Sequence, residues 1–257
     1  MSAIIECIPN FSEGRREEII ETIADTIRVI KGVKLLDYSS DKSHNRSVFT
    51  FIGDPESVKK AAFASCKMAS KLINMTKHSG GHPRMGATDV IPLVPIKDIT
   101  VEECVKLSQE LGKQIADELS IPVFLYEDSA TKPERKNLAT IRKGQFEGMA
   151  KKLQDPNWAP DFGTPKIHST AGVVAVGTRM PLIAFNINLD ISDITVADKI
   201  ARTIRESSGG LKHVKAIGVM LEEQNIAQVS INMTNYKKTA LHEVFEMVKT
   251  EAKRYNA

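Results

Sequence analysis

The sequence is short of cross-links, of aromatic residues and of charge of one sign, and each shortage removes a class of protein. Its three cysteines, Cys7, Cys66 and Cys104, are odd in number, far apart and set among apolar residues. That excludes a disulfide framework and points to a reducing compartment. No grouping shows metal-ligand spacing, so no metal is expected, and neither a Walker nor a Rossmann fingerprint occurs. With 35 basic against 32 acidic residues the net charge is only +3. This balance excludes nucleic-acid binding by bulk electrostatics but leaves room for local basic pockets that receive anionic metabolites. No apolar run approaches the roughly 20 residues that span a bilayer, and Glu6 and Pro9 interrupt the start where a signal peptide would need its apolar core. The expectation is a cytoplasmic protein with small-molecule partners, contacting neither nucleic acid nor membrane.

What is present is a chain able to build a core, clearly punctuated. Its 42% hydrophobic content supports one large domain or two small ones. Residues 3–9 read as a strand stopped by Pro9, followed by a turn-rich loop from Asn10 to Gly14. Ile19, Ile20, Ile23, Ile27 and Ile30 recur at helical spacing with charged residues opposite, and Lys31-Gly32 ends that helix. Residues 33–38 and 47–52 read as strands joined by a polar connection, 39–46. Asp54 as N-cap and Pro55 at the first helical position open a second helix running to Ile73. Residues 90–96 read as a strand. Thr100 and Glu103 form a capping box for a helix to about Leu119. Residues 121–126 follow as a strand, with Pro122 marking its start or a sheet edge. A basic helix is expected over 134–153, most of its cations forming a solvated face. The proline-rich stretch 155–165 reads as a linker or a binding loop.

Beyond it, strands at 173–176, 182–189, 214–221 and 227–233 and helices at 195–205 and 241–255 are expected. The last five of the elements from residue 182 repeat the order strand, helix, strand, strand, helix already read from Ile4 to Ile73. A further strand closes the first series, giving the split βαβ pattern of a ferredoxin-like fold. The second series stops at Ala257 before any closing strand. The sequence therefore predicts an α+β protein of two ferredoxin-like (split βαβ) subdomains packed together, residues 1–178 and 179–257, the second lacking its closing strand.

The densest chemistry lies between the second helix and the 90–96 strand. Residues 77–89, KHSGGHPRMGATD, hold two histidines, an arginine and an aspartate among three glycines. A loop held at both ends by rigid elements is where reactive groups tend to be placed. Gly80 and Gly81 permit backbone angles closed to other residues, and Pro83 restrains His82 to an extended conformation. His82 is therefore aimed, whereas His78 reads as a helix-end residue facing terminal carbonyls.

Five segments, ECIPNFSEG at 6–14, HPRMGA at 82–87, PDFG at 160–163, IAFNINL at 183–189 and VSINM at 229–233, resemble the glutamate formiminotransferase family. The likeness runs from Ile4 to Tyr255. It implies transfer of a formimino group from N-formimino-L-glutamate to N5 of tetrahydrofolate, in histidine breakdown and one-carbon metabolism. Tetrahydrofolate would be a co-substrate bound between two ferredoxin-like subdomains, and the protein a homodimer. No region of the cyclodeaminase type that some relatives carry fused is read here, so cyclisation of the product would use another protein. The resemblance also implies a strand and helix beyond the position of Ala257.

By the same resemblance His82 is the motif histidine, a base that takes a proton from N5 and returns it to the departing glutamate nitrogen. An imidazole titrating near neutrality suits such a shuttle, which contributes about 10²–10⁴-fold. A carboxylate is wanted to orient it. Relatives carry an acidic residue where Ser39 stands, so Asp37 or Asp41 would serve, with Asp89 a further candidate; each could instead cap a loop. Arg46 beside Asn45, and Arg84, are candidate forks for glutamate carboxylates, with Asn10 a further contact. The family's folate loop maps onto Gly163 to Gly172, where Thr164, His168, Ser169 and Thr170 offer polar contacts and the glycines allow close approach. Relatives often have proline where Ser169 stands, and the loop can equally link domains. Asn186, Asn188 and Asn232 lie in apolar strands and either bind ligand, Asn186 first, or tie strands together. Two other functions stay open on these residues: formyl transfer between N-formylglutamate and tetrahydrofolate, and folate binding without catalysis.

Overall fold

The computed structural model describes residues 3–221 and 224–257. The chain divides into two compact units, Met1–Arg179 and Met180–Ala257.

In the first unit β1 (Ile4–Cys7) and β2 (Asn10–Phe11) are one strand broken at Pro9. Proline has no N–H for the ladder, although its carbonyl still accepts from the Phe49 N–H at 3.1 Å. The helix α1 (Glu17–Arg28) buries Ile19, Ile20, Ile23, Ala24 and Ile27, the face marked by the isoleucine spacing. The hairpin of β3 (Val33–Asp41) and β4 (Arg46–Gly53) follows. Then come α2 (Pro55–Leu72), capped by Asp54, and a 3₁₀ turn, Met75–Lys77. Beyond the glycine loop lie β5 (Thr88–Lys97), α3 (Val101–Leu119) with its Thr100/Glu103 capping box, and β6 (Val123–Glu127). The short helices α4 (Leu138–Arg142) and α5 (Gln145–Lys152) precede β7 (Val174–Thr178).

These strands form one sheet in the order β3, β4, β1/β2, β5, β7, β6. Neighbours from β3 to β5 are antiparallel, the pairing of a split βαβ unit. Then β7 and β6 extend the sheet in parallel. One face packs Ile5, Cys7, Phe49, Phe51, Ile91 and Leu93 against the three long helices. On the other, Val90, Phe124, Tyr126, Val173 and Ala175 meet Ile141 and Met149 of α4 and α5. Covered on both sides, β5 is buried without alternation from Thr88 to Val94, and it reads as a continuous apolar run.

Three local expectations are corrected. The hairpin does not turn at Ser39: Ser39 pairs with Val48, Ser40 with Ser47 and Asp41 with Arg46, so β3 runs on to the tip. The stretch 134–153 is not one helix, because Lys143 and Gly144 separate α4 from α5 and Gly144 takes φ 93°. Nor are its cations mostly a solvated face. Arg135 is 1% exposed, with Nη1 2.6 Å from Asp161 and its guanidinium over Phe124. Lys152 donates to the Thr140 and Ile141 carbonyls at 2.7 Å and sits 3.7 Å over the Trp158 ring. These cations satisfy carbonyls and a carboxylate that burial would otherwise leave unpaired.

The second unit holds β8 (Ile183–Ala184), β9 (Ile187–Asn188), α6 (Ile194–Ile204), β10 (Val214–Leu221), β11 (Ile226–Met233) and α7 (Leu241–Lys253). Its sheet has β11 between β10 and the β8/β9 edge, all antiparallel. Ile200, Ile204, Val244 and Val248 pack on Val229 and Ile231. Among the described residues no strand lies outside β8/β9. The expected strand 182–189 is interrupted at Asn186, whose Oδ1 accepts from the Ile231 N–H at 3.2 Å and the Ser230 hydroxyl at 3.0 Å. A side-chain carbonyl here takes the place of a ladder bond.

Candidate active site

Asn45, at the tip of the β3–β4 hairpin, joins three loops. It takes φ 50°, a left-handed conformation that asparagine tolerates. Its Oδ1 accepts the Gly14 N–H at 2.9 Å, its Nδ2 donates to the Ser79 carbonyl at 2.9 Å, and its own carbonyl bonds His78 Nε2 at 3.0 Å. The amide expected to meet substrate is thus used within the protein. Gly81 N–H to the Ser43 carbonyl, 3.1 Å, seats the tip on the glycine loop.

The far end of that loop runs against residues 170–173. Met75 N–H donates to the Thr170 carbonyl at 2.8 Å, Ala87 N–H to Ala171 at 2.9 Å and Val173 N–H to Met85 at 3.1 Å. Gly86 and Gly172 are needed for this approach. A Cβ on Gly86 would stand 2.8 Å from the Ala171 carbonyl oxygen and closer still to that of Val173, and Gly172 has φ 76°. Of the expected folate loop, Thr170 and Gly172 therefore lie along the His82 loop. Gly163 and exposed Thr164 begin it beside Pro122 and Ala116. His168 Nδ1 accepts from Thr170 N–H at 3.3 Å and Ala171 N–H at 3.0 Å, holding the turn that carries exposed Ser169. Asn186 belongs to the second unit, where it ties strands.

His82 is half-buried on the loop. Arg46, the first residue of β4, puts Nη1 3.0 Å from His82 Nε2 and 3.0 Å from Asn10 Oδ1. A guanidinium only donates, so Nε2 accepts and the ring carries its proton on Nδ1. His44 stands edge-on to His82 with ring centroids 6.3 Å apart. Burial first, then Arg46, Arg142 and His44, push His82 down to about 4, against the bond to the Pro83 backbone. The expected near-neutral imidazole is thus corrected to a weaker base, because burial and then its cationic neighbours oppose the charged ring.

No carboxylate touches His82 among the described residues. Asp37 is exposed on β3. Asp41 accepts the His44 N–H at 2.7 Å and lies 2.8 Å from His44 Nδ1. Asp89 is buried, accepts the Met85 N–H at 2.9 Å and pairs with Arg142. Burial pushes its carboxyl up while Arg142 opposes. Arg84 is also engaged, with Nε on His78 Nδ1 at 3.1 Å, Nη1 on Gln145 at 2.7 Å and a fork onto Glu147 at 2.9 and 2.5 Å. It anchors the loop to α5. His78 accordingly faces Arg84 and the Asn45 carbonyl rather than helix-terminal carbonyls, and burial lowers its basicity.

Sequence reasoning missed Arg142 and His44. Nothing in a run of cations singles out Arg142; His44, two residues before Arg46 in a polar turn, could have been flagged. A cavity of about 570 Å³ opens beside Pro83, lined by Thr140, Arg142, Lys143 and Gln145, and one of about 270 Å³ lies by Glu13, Arg15, Arg16, Lys77 and His78. Burial works against Glu13, but the Arg16 and Arg15 N–H groups and the Arg16 guanidinium outweigh it and hold that carboxyl low.

A histidine whose Nε2 accepts from an arginine, with further cations around it and a metabolite-sized cavity at the neighbouring Pro83, fits the class of sites that transfer groups to and from small anions. Compared with known families, residues 4–179 match the N-terminal subdomain of the formiminotransferase domain and residues 184–257 match the formiminotransferase domain. The chain belongs to the formiminotransferase domain family. It is 62% identical over 255 residues to a glutamate formimidoyltransferase of Streptococcus pyogenes serotype M1, covering 99% of this chain and 85% of that protein. A glutamate formimidoyltransferase of Thermoplasma acidophilum is 44% identical over 98% of this chain and 84% of its own length. The formimidoyltransferase-cyclodeaminase of Dictyostelium discoideum is 45% identical over all of this chain, which spans 49% of that longer protein.

Proposed function

We propose that the protein is a glutamate formimidoyltransferase that moves the formimino group of N-formimino-L-glutamate to N5 of tetrahydrofolate. The observation that carries this reading is the meeting of Arg46 and His82 at 3.0 Å in a chain 62% identical to a glutamate formimidoyltransferase. Arg46 receives a glutamate carboxylate. As N5 bonds to the formimino carbon, His82 Nε2 takes the proton N5 loses. As the bond from that carbon to the glutamate nitrogen breaks, the same proton passes to the departing amine. The protein ends as it began, and the products are 5-formiminotetrahydrofolate and L-glutamate.

On this reading Asn10, Asn45 and Arg84 are positioning residues, since each is bonded to the loops or to Arg46. The Gly163–Gly172 loop receives the folate, with Thr170 and Gly172 packed against Met75, Met85 and Gly86. Residues 1–178 and 179–257 act as the N- and C-terminal subdomains. The protein works in the cytoplasm as a homodimer, within histidine degradation and one-carbon metabolism, on small molecules rather than nucleic acid or membranes. Among the described residues no helix is long and apolar enough to cross a membrane.

The test is to mix the purified protein with tetrahydrofolate and N-formimino-L-glutamate and follow both products, with His82→Ala and an N-formyl-L-glutamate donor in parallel. Turnover of the formimino donor that drops about 10²–10⁴-fold in His82→Ala is expected. Absent turnover, or faster turnover of the formyl donor, would overturn the assignment.

A further inference from the structure

A second histidine beside the base is held in one orientation and still has a nitrogen to offer. Asp41 grips His44 twice, Oδ1 accepting its backbone N–H at 2.7 Å and Oδ2 standing 2.8 Å from ring Nδ1. A carboxylate only accepts, so in the neutral ring the hydrogen lies on Nδ1 and the lone pair on Nε2. In an imidazole the bond between Cδ2 and Nε2 is the edge opposite Nδ1. That edge is turned to the glycine loop, with His44 Cδ2 3.9 Å from the place a Gly81 Cβ would take. Nε2 has no hydrogen-bond partner among the described residues, and 54% of the side chain is exposed. The ring centroid lies 6.3 Å from that of His82, near enough for one small group to touch both.

We infer that His44 Nε2 accepts a hydrogen bond from the terminal nitrogen of the formimino group, and that this contact selects a formimino over a formyl donor. The inference rests on the transferase reading for the reaction and adds to it what tells the two donors apart. They differ at one atom. A formimino group ends in a nitrogen that bears hydrogen in both its neutral and its cationic form, and keeps it in the tetrahedral adduct with N5. A formyl group ends in an oxygen that only accepts, and in the adduct that oxygen becomes an anion. Facing the Nε2 lone pair, the nitrogen keeps a hydrogen bond throughout the transfer, whereas the oxygen meets a repulsion that grows as the adduct forms. His44 gains and loses no proton, and the proton exchange stays with His82.

The placing of charge supports the same choice. Arg46 and Arg142 beside the base suit the carboxylates of the donor but oppose a cationic formimino group. Asp89 is buried and paired with Arg142. Asp41 supplies negative charge on the far side of the His44 ring, and a carboxylate on Nδ1–H makes Nε2 the stronger acceptor.

Calorimetric binding of N-formimino-L-glutamate and N-formyl-L-glutamate, without tetrahydrofolate and at about pH 8, where imidazole is neutral, tests this with no need of turnover. The wild type should hold the formimino donor about tenfold tighter or more, the scale of one hydrogen bond made against one refused. His44→Phe keeps a ring but removes the lone pair, and should bring the two affinities within about threefold of each other. His44→Lys can only donate and should reverse the order. Nitrogen-15 NMR of the wild type gives a readout independent of how the variants fold: the Nε2 signal missing in His44→Phe should move with the formimino donor and stay with the formyl one. Equal affinities in the wild type, or a loss in His44→Phe that is proportionate for both donors, overturns the inference. If the wild type turns over the formimino donor while His44→Phe keeps its preference, the transferase reading stands and the His44 contact falls. If binding discriminates as expected but no 5-formiminotetrahydrofolate forms, the contact stands and the transferase reading falls.

Discussion

Gly80 and His44 approach so closely that a Cβ on Gly80 would stand 2.9 Å from the His44 carbonyl carbon and nearer still to its oxygen. Backbone meets backbone there, so no side-chain rotation relieves the clash. Gly80→Ala should lift the hairpin tip from the loop, breaking the Gly81 to Ser43 bond and shifting Asn45 and Arg46. The expected cost is about 1–3 kcal/mol in urea unfolding and about 10²-fold in turnover, the scale of an ångström misplacement. Gly81→Ala is the control: a Cβ there meets nothing closer than 3.7 Å, so it should behave nearly as wild type.

Acid should destabilise the fold in a defined window. His82 has its folded-state titration lowered from the ordinary 6.5 to about 4. Above 6.5 the ring is neutral in both states. Between there and 4 the unfolded chain binds a proton that the folded one refuses, so stability falls as pH drops through that range and levels below it. His78 and His168, lowered first by burial, act with the same sign. Calorimetric Tm should fall across this window, and His82→Gln should fall less steeply.

The Arg135 and Asp161 pair is the strongest candidate for a stability lesion away from the site. Both side chains are buried. Asp161 also accepts the Leu125 N–H at 2.8 Å, and Arg135 donates to the Ala159 carbonyl at 2.5 Å. Arg135→Ala leaves a buried carboxylate without its cation and should cost about 3–5 kcal/mol in denaturant unfolding. A loss like that of an exposed pair would show that the loop relaxes to admit water.

The aspartates can be separated kinetically. Asp37 is exposed and touches nothing at the site, so Asp37→Asn should match wild type in kcat/KM. Asp41 reaches His82 only through His44, and Asp41→Asn should cost at most about fivefold, as exposed pairs do. A loss comparable to that of His82→Ala would make Asp41 a direct partner of the base.

The three long helices were legible because their signals are local: isoleucines at helical spacing in α1, Asp54 and Pro55 before α2, Thr100 and Glu103 before α3. The glycine loop stood out by the density of its residues, and the resemblance rested on motifs that include it. What escaped depends on partners distant in the chain. A lysine or arginine in a run reads alike whether solvated or buried, so Arg135, Arg142 and Lys152 gave no warning of their pairings. The basicity of His82 is set by its burial and then by Arg46, Arg142 and His44, none of which a window of sequence around it shows. The break at Asn186 was hidden because an asparagine that replaces a ladder bond looks like any polar residue in a strand.

The contact between Gly86 and Gly172 also orders events in time. The hairpin, α1, α2 and β5 emerge early from the ribosome and can pair among themselves, leaving one edge of β5 open. That edge is completed by β7, and the residues just before β7 close against Met85, Gly86 and Ala87. The His82 loop therefore reaches its final seat only after nearly the whole first unit has been synthesised, and a nascent chain carries the base long before it can use it.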